Sequence, residues 1–320
     1  MLEYWHANYD GIDEKLEAER HRQFAEIYER GKDWELYRRT YFRPSSANAC
    51  LRALYHQLRG DRRDPQTKEP YHGRWQRIGT NIGEMLQTDL LYIEKHWRKK
   101  TGEVPPFTPE RTPEGFPAWE EFVWGCVEIE YDGYKFSIIG EPDGILKAAD
   151  GKRIGLEIKS KQTTNAQTSA FSMKAPTDSH LKQATAYAIM HDLDTYLITY
   201  VNASKKSWNM SAEDYKKTPD LRVFEMMITD DMKEALLDYW VTALKAVDAE
   251  TPPPVDLSKW LFNDYKETIA ETVTEQEFAD LKAEARAIQQ SGIPKFIKNT
   301  YASAIEFIES YRQRKGLTWE

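Results

Sequence analysis

The chain has 320 residues, 40% of them hydrophobic and 30% charged, with a net charge of −8. This composition supports one large core or two modest ones and excludes disordered, collagenous and small disulfide-stapled chains. No apolar run approaches the ~18 residues of a bilayer span, the start MLEYWHANYDGIDEKLEAER lacks a signal peptide's basic and apolar regions, and Cys50 and Cys126 are the only cysteines; a cytoplasmic protein with no membrane partner is expected.

In chain order, residues 12–37 read as a charged amphipathic helix, and a second helix starts after Pro44, with Ser45 or Ser46 as N-cap, and ends near Gly60. From Leu36 to Arg63 the chain holds Arg38, Arg39, Arg43, Arg52, Arg59, Arg62 and Arg63 against a single acid, Asp61. Residues 211–290 hold 18 acids and 9 bases, a net of −9, so the rest of the chain sums to about +1 and its N-terminal part is suited to a polyanion. A long helix over 74–100 carries the apolar stripe Ile78, Ile82, Met85, Leu86, Leu90 and Ile93. Five of the fifteen prolines fall between Pro105 and Pro117, which predicts a long surface loop.

Three strands follow as an antiparallel meander: 121–131, a turn at Asp132-Gly133, 134–146, a turn at Asp150-Gly151, and 153–160. A polar loop leads to a helix over 179–191 and strands over 195–201 and 221–228. Helices over 230–249, 274–290 and 298–313 complete the chain, with Pro252-Pro253-Pro254 as a stiff break. The class is α+β with helical flanks.

Within the meander sit GEPDGI (140–145) and LEIKSK (156–161). Alternate residues of a strand share a face, so Glu157 and Lys159 point together while Leu156 and Ile158 face the core. Asp143 on the neighbouring strand, Glu157 and a backbone carbonyl, that of Ile158, suit Mg²⁺ at oxygen distances of ~2.1 Å. A lysine beside them, Lys159, orients or deprotonates a water and stabilises phosphate charge. Register decides whether these groups meet. A two-residue turn at Asp150-Gly151 pairs Asp143 with Ile158 and turns it to the core face; one added residue, with Gly151 left-handed, pairs it with Lys159 and restores a common face. A bulge or bend is therefore expected, with Pro142 distorting the strand.

Asp143 followed by Glu157-Ile158-Lys159 on the next strand resembles the PD-(D/E)XK nuclease superfamily, whose core is an αβββαβ unit around a central mixed sheet. The QATAY segment, with Gln183 and Tyr187 on one helix face, is similar to the QxxxY motif of its RecB-like branch. The resemblance implies catalytic roles for Asp143, Glu157, Lys159, Gln183 and Tyr187. It divides the chain into an N-terminal helical arm (1–42), a nuclease core (43–228) and a C-terminal helical region (229–320). Where the branch often carries a histidine in G-T-x-x-H, this chain has Gly79-Thr80-Asn81-Ile82-Gly83. The adjacent Glu84 becomes the third acidic ligand, with Glu141 as fallback, and loss of the imidazole weakens any preference for Mn²⁺ over Mg²⁺.

RPSSANACLRALYHQLRG (43–60) resembles the Ser-x-x-x-x-Cys-x-Arg helix that precedes this core, implying DNA contacts from Arg43, Ser46, Arg52 and Arg59, joined by Lys161 and Gln183. In iron-sulfur members that cysteine joins three C-terminal ones. No cysteine follows Cys126 here, so no cluster is expected and Cys50 reads as a buried thiol. Tyr71, Trp75 and Trp208 lie in polar, basic contexts suited to base stacking. The resemblance spans about residues 43–201 and implies a metal-dependent DNA exonuclease of recombination, repair or replication, of the phage type. Its partners would be DNA and a single-strand-annealing or replication protein. The alternatives are a structure-specific endonuclease on the same core and a catalytically silent DNA-binding subunit.

Overall fold

The computed structural model describes residues 1–66 and 68–319 and begins with α1 (Leu2–Ala7) and α2 (Glu14–Arg30). Asp13 starts α2 by accepting from the Leu16 amide, and Gly31, at φ +70°, ends it before the charge pattern does. β1 (Tyr41–Phe42) and α3 (Leu51–Arg59) follow. The N-cap of α3 is Cys50 rather than Ser45 or Ser46; those serines lie in a 3-10 turn where Ser46 Oγ donates to the Arg43 carbonyl at 2.7 Å. Next come α4 (Pro70–Thr101) and β2 (Phe107–Pro109), a short strand inside the proline-rich stretch read as loop. Pro109 is compatible with it because β2 is an edge strand. Then come β3 (Gly125–Tyr131), β4 (Tyr134–Gly140), β5 (Gly144–Ala148), β6 (Arg153–Lys161), α5 (Asp178–His191), β7 (Thr195–Asn202), α6 (Ala212–Lys217) and β8 (Leu221–Met227). The chain ends in α7 (Asp230–Asp248), α8 (Lys266–Thr272), α9 (Glu275–Gln290) and α10 (Lys295–Lys315). The class is α+β, as expected.

Among the described residues the strands form two sheets, ordered β1-β4-β3 and β2-β5-β6-β7-β8. The strand predicted over 134–146 is therefore two strands in different sheets. Pro142 removes a backbone donor at the break. Gly140 is needed there, because a Cβ would stand 3.0 Å from both Tyr187 Cε1 and Pro44 Cδ. Glu141, Pro142 and Asp143 thus form a corner between the sheets.

The expected extra residue is present, but on the other side of the turn. The loop is Ala149-Asp150-Gly151, with Gly151 at φ +89° and its amide donating to the Ala148 carbonyl at 2.9 Å. This sets Gly144 opposite Leu156 and Lys147 opposite Arg153. One step further along, Asp143 faces Glu157 instead of Lys159. The common face survives because the two registers differ by an even number of residues. On its other side β6 pairs in parallel with β7, α5 forming the crossover.

The chain divides into two compact units. The first comprises Met1–Ala47, Lys68–Glu128 and Ser137–Lys233, with a core of Leu86 and Leu90 from α4 packed on Leu146, Ile154, Leu156 and Ile158. Only part of the predicted α4 stripe is buried: Ile78 is 45% and Met85 43% exposed. The second unit comprises Asn48–Thr67, Ile129–Phe136 and Glu234–Glu320, around Leu257, Trp260, Ile269, Phe278 and Ile308. Residues 48–66 lie in this unit, together with the ends of β3 and β4 that meet at the Asp132-Gly133 turn.

Inside the second unit the arginine-rich segment meets the late acids. Arg62 pairs with Glu267 and Arg63 with Asp264, while Arg52, 3% exposed, donates to the Pro253 carbonyl and to Glu277 at 2.6 Å. In the first unit Arg38 pairs with Glu35 and Arg39 with Glu128. Much of the apparent polyanion site is therefore neutralised internally.

At Gly155 a Cβ would lie 2.1 Å from the ring of Tyr196, which is fully buried and cannot swing away. Gly155→Ala is expected to force β6 and β7 apart at a cost of about 1–3 kcal/mol. A denaturation midpoint equal to wild type would contradict this close approach.

Candidate active site

Asp143 stands at the corner, and Glu157 and Lys159 lie on β6. Asp143 Oδ2 accepts from the Ile158 amide at 2.5 Å. In an extended strand the N–H and C=O of one residue point to the same side, so the Ile158 carbonyl faces that edge too, beyond the end of β5. Glu157 is 0% exposed. Among the described residues neither of its carboxylate oxygens has a hydrogen-bond partner, although Lys159 Nζ is 2.5 Å from Oε1 as an ion pair.

Burial pushes the Glu157 carboxyl above its ordinary value; the Asp143 charge adds to this and Lys159 opposes it. The Asp143 carboxyl is also raised, by burial first, against the Lys159 charge and the Ile158 amide. Lys159 is pulled two ways. Burial disfavours its ammonium, but the charges of Glu157 and Asp143 outweigh burial and its pKa is raised. It is thus a held cation and a donor.

The two residues of the helical pair act on different parts of the site. Lys159 Nζ donates to Gln183 Oε1 at 3.1 Å, and Tyr187 Oη donates to the Glu141 carbonyl at 2.6 Å. Gln183 therefore positions the lysine, and Tyr187 pins the corner. Lys161 Nζ lies 5.2 Å above the Tyr200 ring, its pKa lowered by burial and by Lys159. His180, its Nδ1 2.8 Å from Tyr200 Oη, is neutral, pushed down to about 3 by burial and then by Lys159 and Lys161.

On α4 the residues that face this site are Gly79, Gly83 and Gln87, spaced by four and so on one side. A Cβ at Gly79 would lie 3.3 Å from Ser160 Oγ, and one at Gly83 would lie 3.8 Å from Glu120 Oε1. Gln87 Nε2 donates both to Glu120 Oε1 at 3.0 Å and to the Asp143 carbonyl at 2.8 Å. Glu84 points elsewhere: it is exposed and lines a cavity of about 890 Å³ with His6, Tyr9, Arg20 and Asp89. Glu141 pairs with Lys32.

The acid brought to the corner from outside β5 and β6 is Glu120, which the sequence reading missed. Its amide donates to the Pro142 carbonyl at 2.8 Å, and its φ of +44° is rare for a residue with a side chain. Burial raises its pKa to about 7, Gln87 opposing and the Asp143 and Glu141 charges adding. The one sequence signal for it is indirect, a glycine at 83 where the resembling branch places a histidine.

Of the residues implied for DNA contact, Arg43 is exposed, its guanidinium 5.0 Å from the Tyr37 ring centre. Ser46 is engaged with the Arg43 backbone, and Arg59 with Tyr55 Oη at 2.9 Å and with Asp61. Arg52 is a correction: its burial and its bonds to Pro253 and Glu277 leave no surface for a phosphate. Cys50 is buried, its Sγ accepting from the Asp256 amide.

Among the described residues no group of three or more His, Cys, Asp or Glu side chains is arranged as a metal cage. The fit to a cation rests instead on the buried Glu157 carboxylate, whose Oε1 meets Lys159 and whose Oε2 has no hydrogen-bond partner among those residues. Buried acceptors in an anion are satisfied only by a proton, a donor or a cation.

No family model matches the sequence, and no curated protein matches it either. Solved structures that resemble it include SSO0001, at 13% identity and TM-score 0.39, over 77% of this chain and 90% of that one. The alkaline exonuclease LHK-Exo from Laribacter hongkongensis gives 13% and 0.36, over 66% and 89%. A phage-related exonuclease from Haemophilus somnus 129PT gives 12% and 0.30, over 66% and 95%. Likenesses this distant carry no chemistry, which rests on the side chains at the corner.

Because the Glu157 pKa is raised in the fold, its contribution to stability is fully present below the ordinary glutamate value of ~4.3 and is lost as pH rises toward the folded value. Without metal, the wild-type denaturation midpoint should fall between about pH 5 and 8. Glu157→Gln should remove its share of that fall, about 1–3 kcal/mol at the upper end, leaving the part due to Glu120 and Asp143. Divalent cations should raise the wild-type midpoint and leave the variant's unchanged. Parallel pH profiles for the two proteins would sink this account of Glu157.

Proposed function

We propose that the protein is a metal-dependent DNA nuclease built on Asp143, Glu157 and Lys159, acting as an exonuclease in recombination, repair or replication. The observation that carries this reading is the pair of buried carboxyl groups, Asp143 and Glu157, set against the single ammonium of Lys159, 2.5 Å from Glu157 Oε1. Two such groups are costly to bury ionised unless a further cation balances them. Asp143, Glu157 and the Ile158 carbonyl would hold the ion, an all-oxygen set suited to Mg²⁺ with Mn²⁺ as substitute. Glu120 is a better third acid than Glu84, because Gln87 ties it to the Asp143 corner.

When bound, the cation supplies charge neutralisation at a phosphoryl oxygen and a more acidic water. The remaining work falls to the chain. Lys159, fixed between Glu157 and Gln183, donates to the attacking water or to a phosphate oxygen as negative charge builds there. The Ile158 amide holds Asp143 in place, and Tyr187 holds the corner that carries it. In the reaction the water oxygen bonds to phosphorus, the bond to the leaving sugar oxygen breaks, and the water proton ends on that oxygen or in solvent. The exonuclease and phage assignments and an annealing or replication partner rest on the motif resemblance, and the cytoplasmic setting on cysteine usage. No helix among the described residues is long and apolar enough to cross a membrane.

End-labelled linear DNA with Mg²⁺ tests the reading. Nucleotides should be released from an end while closed circles stay intact, and Asp143→Asn and Lys159→Ala should each lower the rate on the order of 10³-fold. Nicked circles would make the protein an endonuclease; wild-type rates in both variants would move the chemistry elsewhere.

Calorimetric Mn²⁺ titration separates the two candidate acids. Glu120→Gln should weaken binding roughly tenfold and Glu84→Gln should leave it unchanged. The reverse ranking would restore Glu84.

A further inference from the structure

The first turns of α4 stand clear of the first unit's core. Tyr71 is 54% exposed, Trp75 45% and Ile78 45%. Their spacing of four and three continues the stripe that, further along the helix, becomes Ile82, Leu86 and Leu90 packed against the sheet. An apolar face that is core at one end of a helix thus runs on into solvent at the other. Large apolar side chains kept exposed in one row mark an interaction site.

Charge and position indicate what it meets. Arg74 and Arg77 lie on the same turns, exposed, and neither has an ion pair or hydrogen bond among the described residues. Arg39, Arg62 and Arg63, by contrast, are each matched by an acid. The row also borders the catalytic strand. Gln162 Nε2 donates to the Trp75 carbonyl at 3.1 Å and to Ser160 Oγ at 3.0 Å, and Gly79 brings the helix against Ser160, the neighbour of Lys159 in the chain.

We propose that the Tyr71–Ile78 turns of α4 are a holding surface for a single-stranded DNA end, Trp75 and Tyr71 stacking on unpaired bases while Arg74 and Arg77 take the intervening phosphates and present the strand to Lys159. The inference deepens the nuclease reading and depends on it for the nature of the polymer. Unpaired bases are favoured over duplex because successive bases of a single strand can each offer a ring face, whereas interior base pairs have both faces stacked. A protein partner is disfavoured by two unmatched guanidinium groups on a helix that borders β6.

Binding of end-labelled single-stranded oligonucleotides to the full chain in EDTA, followed by fluorescence anisotropy, tests the proposal without cleavage. Trp75→Ala and Tyr71→Ala should each weaken binding roughly tenfold, with Trp75→Phe retaining most of it. The double variant Arg74→Ala/Arg77→Ala should flatten the slope of log affinity against log salt by about 0.7 for each phosphate released. All four should bind Mn²⁺ as wild type does, since none lies at the corner. Single-strand affinity unchanged in Trp75→Ala and in the double arginine variant overturns the proposal while leaving the nuclease reading intact, as does a loss confined to duplex DNA. A wild type that neither binds nor cleaves DNA defeats both. If Trp75→Ala lowers the denaturation midpoint, the arginine pair and Trp75→Phe decide the matter.

Discussion

Two carboxylates share one ammonium in a region from which water is largely excluded, and the first unit is arranged around that imbalance. Lys159 compensates one negative charge. Asp143 and Glu157 together carry two when ionised, and both have their pKa values raised by burial. The corner fixes Asp143 through the Ile158 amide, Tyr187 holds the corner through the Glu141 carbonyl, and Gln183 restrains the lysine. Each contact orders the site without cancelling the excess charge. A site so restrained holds protons more tightly than free carboxyl groups do, and any cation that it took up would have to displace them.

The parts of this arrangement that follow local periodicity were legible in the sequence. Strand alternation places Glu157 and Lys159 together, and the four-residue spacing of Gln183 and Tyr187 puts both on the inner side of α5. What depended on counting turn residues was not legible. Asp150-Gly151 announces a turn, yet whether Ala149 belongs to it is decided by closure onto the Ala148 carbonyl, and that shifts Asp143 from Lys159 to Glu157. The break at Pro142 was visible as a distortion, but a change of sheet requires β1 and β3 to capture β4, and that is a long-range event. Glu120 was beyond local reading altogether. It is fixed by Gln87 from one side and the Pro142 carbonyl from another, and no spacing within the chain encodes both.

Charge sums misled for a related reason. Segregation along the chain is not segregation in space. The late acids Asp264, Glu267 and Glu277 are the partners of Arg63, Arg62 and Arg52, so the most basic and most acidic stretches largely cancel within the second unit. Such pairs are worth little when exposed, but Arg52 is buried and its loss would leave Glu277 and the Pro253 carbonyl without their donor. Among the described residues, Arg43 and, on the first turns of α4, Arg74 and Arg77 are exposed cations that form no ion pair with an acid.

The glycines of α4 explain how the Glu120 carboxylate reaches the corner. Each glycine inside a helix costs about 1 kcal/mol relative to alanine, and α4 carries two of them, Gly79 and Gly83, on the side facing β6. At Gly79 the reason is contact, since any side chain would press on Ser160. At Gly83 a bare Cβ would fit, 3.8 Å from Glu120 Oε1, whereas anything longer would enter the volume that the Glu120 carboxylate fills. The absence of a side chain at 83 and the unusual backbone of Glu120 are therefore one feature. The helix leaves a space, the loop bends through φ +44° to fill it, and Gln87, one turn further along, ties the incoming carboxylate to the backbone of Asp143.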